Sequence, residues 1–363
     1  MRPKELIIKA AKSVGALSLV RDSRWRHERL MILCYHGVAV DDEHEWSPTL
    51  YISQDQLRRR LNALRQGGYN VLPLNEGTRR LYDGTLPPRS VALTFDDGAV
   101  DFERRALPLL REFDMPATVY LTTYCCQKRL PVINTMTRYV LWKGRKSGVD
   151  IAPLLGTSGP LRNEDAGAQF KAFEAFVAHT RALEMDADDK DALLGRVAER
   201  VGVDYAAIKS RELLYIMAPE SVHNLPRDLI DVQLHTHRHR TPRDRYLLQQ
   251  DVRDNIAVIR QLRGADTTLE QFCYPSGEYY GDFFPWLREC GVRYSTTCLP
   301  GLAHRGADPM LLPRLVDTMN ISDLTFEAWI TGFAELLPRR REFRIDMGRL
   351  APTQGPMPGA RNT

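Results

Sequence analysis

The chain of 363 residues is 43% hydrophobic and 26% charged, with 50 basic and 46 acidic side chains and a formal net charge of +4. That composition suits one large folded domain with additions, and it excludes a disordered or low-complexity chain. Charge is nearly balanced, and no basic stripe interleaved with aromatics marks a nucleic-acid partner.

Residues 1–29 read as an N-terminal amphipathic helix, with Leu6, Ile7, Ala10, Ala11, Val14 and Leu17 on one face. Lys9 and Lys12 interrupt the apolar run, which falls short of the roughly 20 residues that span a bilayer. The face is expected to dock on the protein's own core, with contact to a membrane surface as the alternative. Residues 30–34 form a short buried strand running into Tyr35-His36-Gly37. Residues 53–66 are helical, since Leu57, Leu61 and Leu64 share a face, and residues 70–74 are a second strand candidate.

The strand at 90–95 ends directly on Asp96-Asp97-Gly98, and a helix over 102–113 leads to the β-rich run 117–121. Apolar strands alternating with helical segments indicate a parallel α/β sheet or barrel. From about 127 to 223 helical signals dominate, with Phe170, Phe173 and Val177 on one face and then Leu193, Leu194 and Val197, which reads as a helical insertion. Strand and helix alternate again from 229–234 through 272–274 and 292–296. The domain expectation is therefore a barrel over 30–335 carrying that insertion, followed by a mobile basic tail at 336–363. Six scattered cysteines without a CxxC pair fit reduced, mostly buried thiols rather than a zinc ribbon or a thioredoxin-type site.

Two clusters carry the chemistry, each at the end of an apolar strand, where ligands collect in parallel α/β folds. In Thr94-Phe95-Asp96-Asp97-Gly98 the consecutive carboxylates repel, and burying both needs a compensating cation or proton. The plainer reading is an Asx-type turn capping the next helix. In His235-Thr236-His237-Arg238-His239, three of the nine histidines fall within five residues. Two imidazoles and one carboxylate suit a borderline-soft metal with positions left for water. His235 and His239 would share one ion if the backbone turns helically after the strand, whereas His237 would face elsewhere. A cationic surface loop is the plainer reading here.

In that order, Thr94-Phe95-Asp96-Asp97-Gly98 and His235-Thr236-x-x-His239 resemble the first two motifs of the polysaccharide deacetylase (NodB-homology) family, carbohydrate esterase family four. The resemblance extends to Tyr35-His36-Gly37, to residues 53–98, to Tyr274-Pro275-Ser276-Gly277 and to Leu312-Pro313-Arg314, and the insertion is its weakest part. It implies a distorted (β/α)7 barrel, with Asp96 as general base acting on a metal-bound water. It also implies Asp97, His235 and His239 as ligands of a divalent metal, most often zinc. Such an ion polarises an amide carbonyl and lowers the pKa of water. The resemblance further implies a substrate-binding turn of Tyr274, Pro275, Ser276 and Gly277, with the Ser276 N–H stabilising the oxyanion.

Three departures stand out. The third motif's usual arginine is replaced by Cys273, for which Arg314 from another loop is a candidate substitute as well as a substrate contact. No histidine occurs near 311–315 to serve as catalytic acid. His36 is the preferred replacement, unless its N–H merely holds its loop together; His304 is a weaker candidate. Third, the insertion separates the two metal motifs widely and is a candidate for shaping the substrate site.

The expected function is metal-dependent removal of the N-acetyl group from a hexosamine in an oligosaccharide, glycolipid or polysaccharide precursor. Deformylation or other N-deacylation of an amino sugar is one alternative, and a catalytically silent, metal-containing glycan-binding protein is another. The lack of a secretion-signal pattern favours the cytoplasm, at or near the inner face of the membrane.

Overall fold

The structure is a computed structural model that describes residues 3–338, so the expected tail lies, from residue 339 onward, outside the described residues. Its strands are β1 (Arg29–Tyr35), β2 (Gly37–Val38), β3 (Tyr51–Ile52), β4 (Asn70–Val71), β5 (Ser90–Phe95), β6 (Ala117–Leu121), β7 (Ile230–Leu234), β8 (Gln271–Cys273), β9 (Tyr294–Thr296), β10 (Ala303–His304) and β11 (Leu315–Val316). The main sheet runs β10-β1-β5-β6-β7-β8-β9, with β11 also on β1 and β4 on β5, and every pairing except β1·β10 is parallel. Thr296 of β9 bridges Leu312, just upstream of β11, and β11 pairs with β1 through Leu33↔Leu315 and Cys34↔Val316. The curled sheet thereby closes on itself through the segment 312–316, giving seven parallel staves (β1, β5 to β9 and β11): the distorted (β/α)7 barrel.

Alternation along the strands decides what the barrel contains, because successive side chains point to opposite faces. Met31, Leu33, Val91, Leu93, Val119, Val232 and Phe272 belong to the main core under the flanking helices. The alternate positions Leu30, Ile32, Ala92, Tyr120 and Cys273 form a second buried cluster, the barrel interior. Continuing that inner phase upward places Cys34, Asp96 and His235 at the carboxyl ends of the strands. Several flanking helices start on side-chain caps: Ser53, Asp165, Asp186, Asp244 and Ser322 each accept the N–H three residues on. The segment expected as one helix over 102–113 divides into a π-helical turn (Phe102–Ala106) and an α-helix (Leu107–Phe113). Such π turns recur at functional sites, and this one starts five residues after Asp97.

Between β6 and β7, the helices Ile133–Lys143, Ala166–Ala182 and Ala187–Arg200 build a separate core from Met136, Tyr139, Phe173, Phe176, Leu193, Leu194 and Val197. Phe170, expected on that buried face, is instead 45% exposed, and Phe176 packs inward. The segment returning to the barrel lies against the mouth: Ile216 bridges Ala99, the Met217 N–H donates to the Gly98 carbonyl, and the Val100 N–H to that of Tyr215.

At the N-terminus, Ile8, Ala11 and Leu17 pack on Ala328, whereas Leu6, Ile7 and Val14, expected on the docked face, are exposed. All six cysteines are free, with Cys34, Cys126 and Cys273 buried.

Candidate active site

The site begins with a sharp bend after β5. The Gly98 N–H donates to the Asp96 carbonyl at 2.8 Å and Asp97 sits at φ 68, the rare and strained γ-turn pattern. The bend sends two neighbouring carboxylates in different directions: Asp96 into the barrel and Asp97 over its rim. Gly98 has φ 77, and a Cβ there would lie 2.4 Å from Leu121 Cδ1, so glycine suits both the backbone and the packing.

Asp97 Oδ1 lies 3.1 Å from Nε2 of His235 and 3.1 Å from Nε2 of His239. The three donor atoms lie within 4.8 Å of one another. A tetrahedral ion with bonds of about 2.0–2.1 Å needs ligand atoms roughly 3.3 Å apart, so this donor set fits a divalent metal of the zinc type. His235 is buried, and its Nδ1 lies 2.9 Å from the Cys273 carbonyl, which turns Nε2 toward Asp97. That arrangement is the outer support a ligating imidazole ordinarily has. Burial alone would raise the Asp97 carboxyl; the nearby His239 charge and the hydrogen bonds from both imidazoles outweigh it and hold the carboxyl well below its ordinary value.

The route by which the two histidines meet differs from the expected helical turn. No helix forms after β7; instead Thr236 and His239 adopt left-handed φ values of 62° and 51°. The loop is held from outside. The His235 N–H donates to Asn255 Oδ1 at 3.0 Å, and the Arg238 N–H donates to Asp251 Oδ2 at 3.0 Å. His237 faces away, with its Nδ1 2.9 Å from Thr123 Oγ1. Sequence reasoning missed Asn255 and Asp251. Their signal was a polar residue four positions from another on the buried face of the helix Arg245–Arg263, among Leu248, Val252 and Ile259.

Asp96 is 2% exposed and Arg314 0%, and they form a bidentate pair at 2.7 and 2.8 Å. Arg314 also donates to the Thr297 carbonyl at 3.0 Å and to Thr94 Oγ1 at 3.1 Å, and its Nη2 lies 3.1 Å from Cys273 Sγ. The small Cys273 side chain leaves the room that the guanidinium fills from the closing segment 312–316, beyond β9. Burial would raise the Asp96 carboxyl, but the Arg314 charge and hydrogen bonds, with His36 and His235, hold it well below the usual carboxylate range. Arg314, expected also as a substrate contact, has no exposed surface, and its guanidinium is taken up by Asp96 and the groups around it. Tyr274 and Pro275, expected in the substrate-binding turn, likewise have little exposed surface. Both are buried, the Tyr274 hydroxyl donates to the Met310 carbonyl, and only Ser276 and Gly277 of that turn reach the surface. Ser276 sits at φ 57, and a Cβ at Gly277 would lie 3.5 Å from Cys298, which neighbours Arg314.

His36 follows β1, whose Tyr35↔Phe95 register sets it beside Asp96. Its Nε2 lies 3.7 Å from Asp96 Oδ2, and its side chain is 19% exposed. Its Nδ1 is buried without a hydrogen-bond partner, so the ring does not hold its loop together. Burial, partly opposed by Asp96, lowers the imidazole pKa. A Cβ at Gly37 would come within 2.2 Å of the Tyr51 ring, which accounts for glycine beside this histidine. His304 pairs with Arg29 at the opposite end of β1, which removes it from the site.

Fold and site together define a (β/α) barrel with a two-histidine, one-carboxylate cluster beside a second, arginine-paired aspartate. The polysaccharide deacetylase family model matches residues 83–151, the segment holding β5, Asp96-Asp97-Gly98 and β6. Over 102 residues the chain is 31% identical to the poly-beta-1,6-N-acetyl-D-glucosamine N-deacetylase of Escherichia coli K12, a match covering 28% of this chain and 15% of that protein. Among solved structures, the Streptococcus pyogenes deacetylase PplD in complex with acetate superposes with a TM-score of 0.55 at 16% identity, over 83% of this chain and 98% of that one. IcaB from Ammonifex degensii gives 0.52 at 18% identity, over 84% and 97%. Over the segment that holds Asp96-Asp97-Gly98 the chain is similar to the polysaccharide deacetylase family.

Proposed function

We propose that the chain hydrolyses a carbon–nitrogen amide bond, removing the N-acetyl group of a hexosamine in an oligosaccharide, glycolipid or polysaccharide precursor. One observation carries this reading: three metal-type donors from strand ends distant in sequence meet beside a second, ionised aspartate. An ion of the zinc type held by Asp97, His235 and His239 would supply carbonyl polarisation and a more acidic water.

The chain's own groups do the rest. Arg314 keeps Asp96 ionised and oriented, and Oδ1, with one hydrogen bond from Arg314, keeps a lone pair that can accept the proton of the attacking water. His36 Nε2, 3.7 Å from Oδ2, is placed to receive that proton and deliver it to the departing nitrogen. The water oxygen joins the acyl carbon, the C–N bond breaks, and acetate and a free amine leave. The Ser276 N–H, on an exposed tight turn, is the candidate donor to the developing oxyanion; as a backbone group it does not depend on the side chain.

The silent glycan-binding alternative rested on a missing arginine and a missing histidine. Arg314 and His36 occupy the corresponding roles in space, which supports the hydrolase reading. The test is acid release from an N-acetylglucosamine oligomer, with and without exhaustive chelation. Acetate that appears only with metal present supports the proposal, and formate from an N-formylated analogue alone would redirect it to deformylation. Release unchanged after confirmed metal removal, or glycan binding with no acid released, would overturn it.

A further inference from the structure

We propose that Cys34 and His36, together with Asp96, form a second metal site of a different chemical kind, one for a soft monovalent ion such as copper(I) or silver(I). Binding there does not depend on the deacetylase reading. Cys34 lies near the end of β1 and His36 directly after it, two residues apart, so strand alternation turns both side chains to one face. The Tyr35↔Phe95 register brings Asp96 beside them. The Cys34 thiol donates to Asp96 Oδ2 at 3.5 Å, and His36 Nε2 lies 3.7 Å from the same oxygen. One donor atom from each of the three residues lies within 4.8 Å of the other two. An ion bonded to sulfur at about 2.3 Å and to nitrogen or oxygen at about 2.0 Å holds such atoms roughly 3.3–3.6 Å apart. The observed spacings are close to that.

His36 supplies an independent pointer to a ligand. Its Nδ1 is buried without a hydrogen-bond partner, and Nε2 stands too far from Asp96 for a hydrogen bond. Burial lowers the imidazole pKa and so favours the neutral ring, whose lone pair can bind a metal.

Charge and softness select the ion. The Arg314 guanidinium sits 2.8 Å from Asp96 Oδ2, so the buried group is already a neutral ion pair. A monovalent ion bonds the Cys34 sulfur as the S–H bond breaks and its proton passes to solvent. Net charge beside Arg314 is then unchanged, whereas a divalent ion would leave an extra positive charge there. Thiolate and imidazole together suit copper(I)-type ions, in contrast to the sulfur-free set of Asp97, His235 and His239. Asp96 also meets His235 and Cys273, but His235 is turned toward Asp97 and Cys273 Sγ lies 3.1 Å from Arg314 Nη2. With His36 taken up as a ligand, hydrolysis by the route above stops; that consequence alone rests on the deacetylase reading.

The experiment is equilibrium dialysis of the full chain against silver(I), a redox-stable probe, in chloride-free buffer. The chain carries Cys125→Ser, Cys290→Ser and Cys298→Ser, which removes the partly exposed thiols. Expected is uptake of one silver ion per chain with release of one proton. Adding Cys34→Ser should abolish the uptake, and adding His36→Gln instead should weaken it by about tenfold or more. Thermal melting checks that both variants fold, and His36, at a partly exposed position, gives a reading should Cys34→Ser not fold. Absence of uptake would overturn the proposal, as would uptake retained in folded Cys34→Ser. Silver bound by His36→Gln as tightly as by the parent would also overturn it, since the ion would then be a plain thiol adduct.

Discussion

Breaking the Asp96–Arg314 pair should damage stability in a way that only removal of both charges repairs. The pair is almost wholly shielded from water, at 2% and 0% exposure. Arg314→Met leaves Asp96 with the Cys34 and Cys273 thiols at 3.5 and 3.4 Å and the His36 imidazole at 3.7 Å, with no group of fixed positive charge beside it. Asp96→Asn leaves a buried guanidinium facing neutral groups. Removing one partner of a buried pair costs about 3–5 kcal/mol, chiefly because a charge remains uncompensated. Each single variant should therefore lose about that much in urea denaturation. The double variant should lose less than the sum, leaving a coupling energy of about 2–3 kcal/mol. Arg314→Lys, which keeps the charge but not the planar two-point geometry, should fall between. Effects that add within about 0.5 kcal/mol would refute the reasoning.

His36→Gln should cut kcat by about 10²–10⁴-fold while leaving bound metal and thermal stability unchanged; wild-type turnover would remove His36 from the chemistry. Gly98→Ala should cost about 1–3 kcal/mol and weaken metal binding, because the new Cβ meets Leu121 and displaces Asp97. An unaltered melting temperature together with unaltered metal affinity would contradict this. The Asp231 carboxyl, which accepts from Asn75 and Gln233, is pushed by burial up to about 6. Between its ordinary value and 6 the folded state binds more protons than the unfolded one, so its effect is to lower stability as pH rises through that window and to level off above it. The shift of about two units corresponds to at most about 3 kcal/mol. Asp231→Asn should flatten that part of the stability profile, and parallel profiles for the two proteins would exclude the effect.

How much of this was legible in the sequence depended on distance along the chain. The run at 90–95 and the two clusters could be read because strand, turn and ligand types are local. Asp97 with His235 and His239 followed from residue chemistry, but the left-handed Thr236 and His239 left no trace, since neither is glycine. The Asp96–Arg314 pair joins residues 218 apart, and only its need, not its geometry, could be inferred from Cys273. At the N-terminus, apolar residues on both faces made periodicity ambiguous; Ala11 and Leu17 of the expected face are buried with Ile8, which was not expected, whereas Leu6, Ile7 and Val14 are exposed. Asn255 and Asp251 were readable in principle, as polar intrusions on an apolar helix face.

Metal analysis of the purified chain, alongside Asp97→Ala, His239→Ala and His237→Ala, tests the central claim most directly. One divalent ion per chain is expected in the wild type and in His237→Ala, whose imidazole faces Thr123. Loss of the ion is expected in the other two. A wild type that takes up no zinc on titration, or an Asp97→Ala variant that binds it as tightly as wild type, would contradict the account.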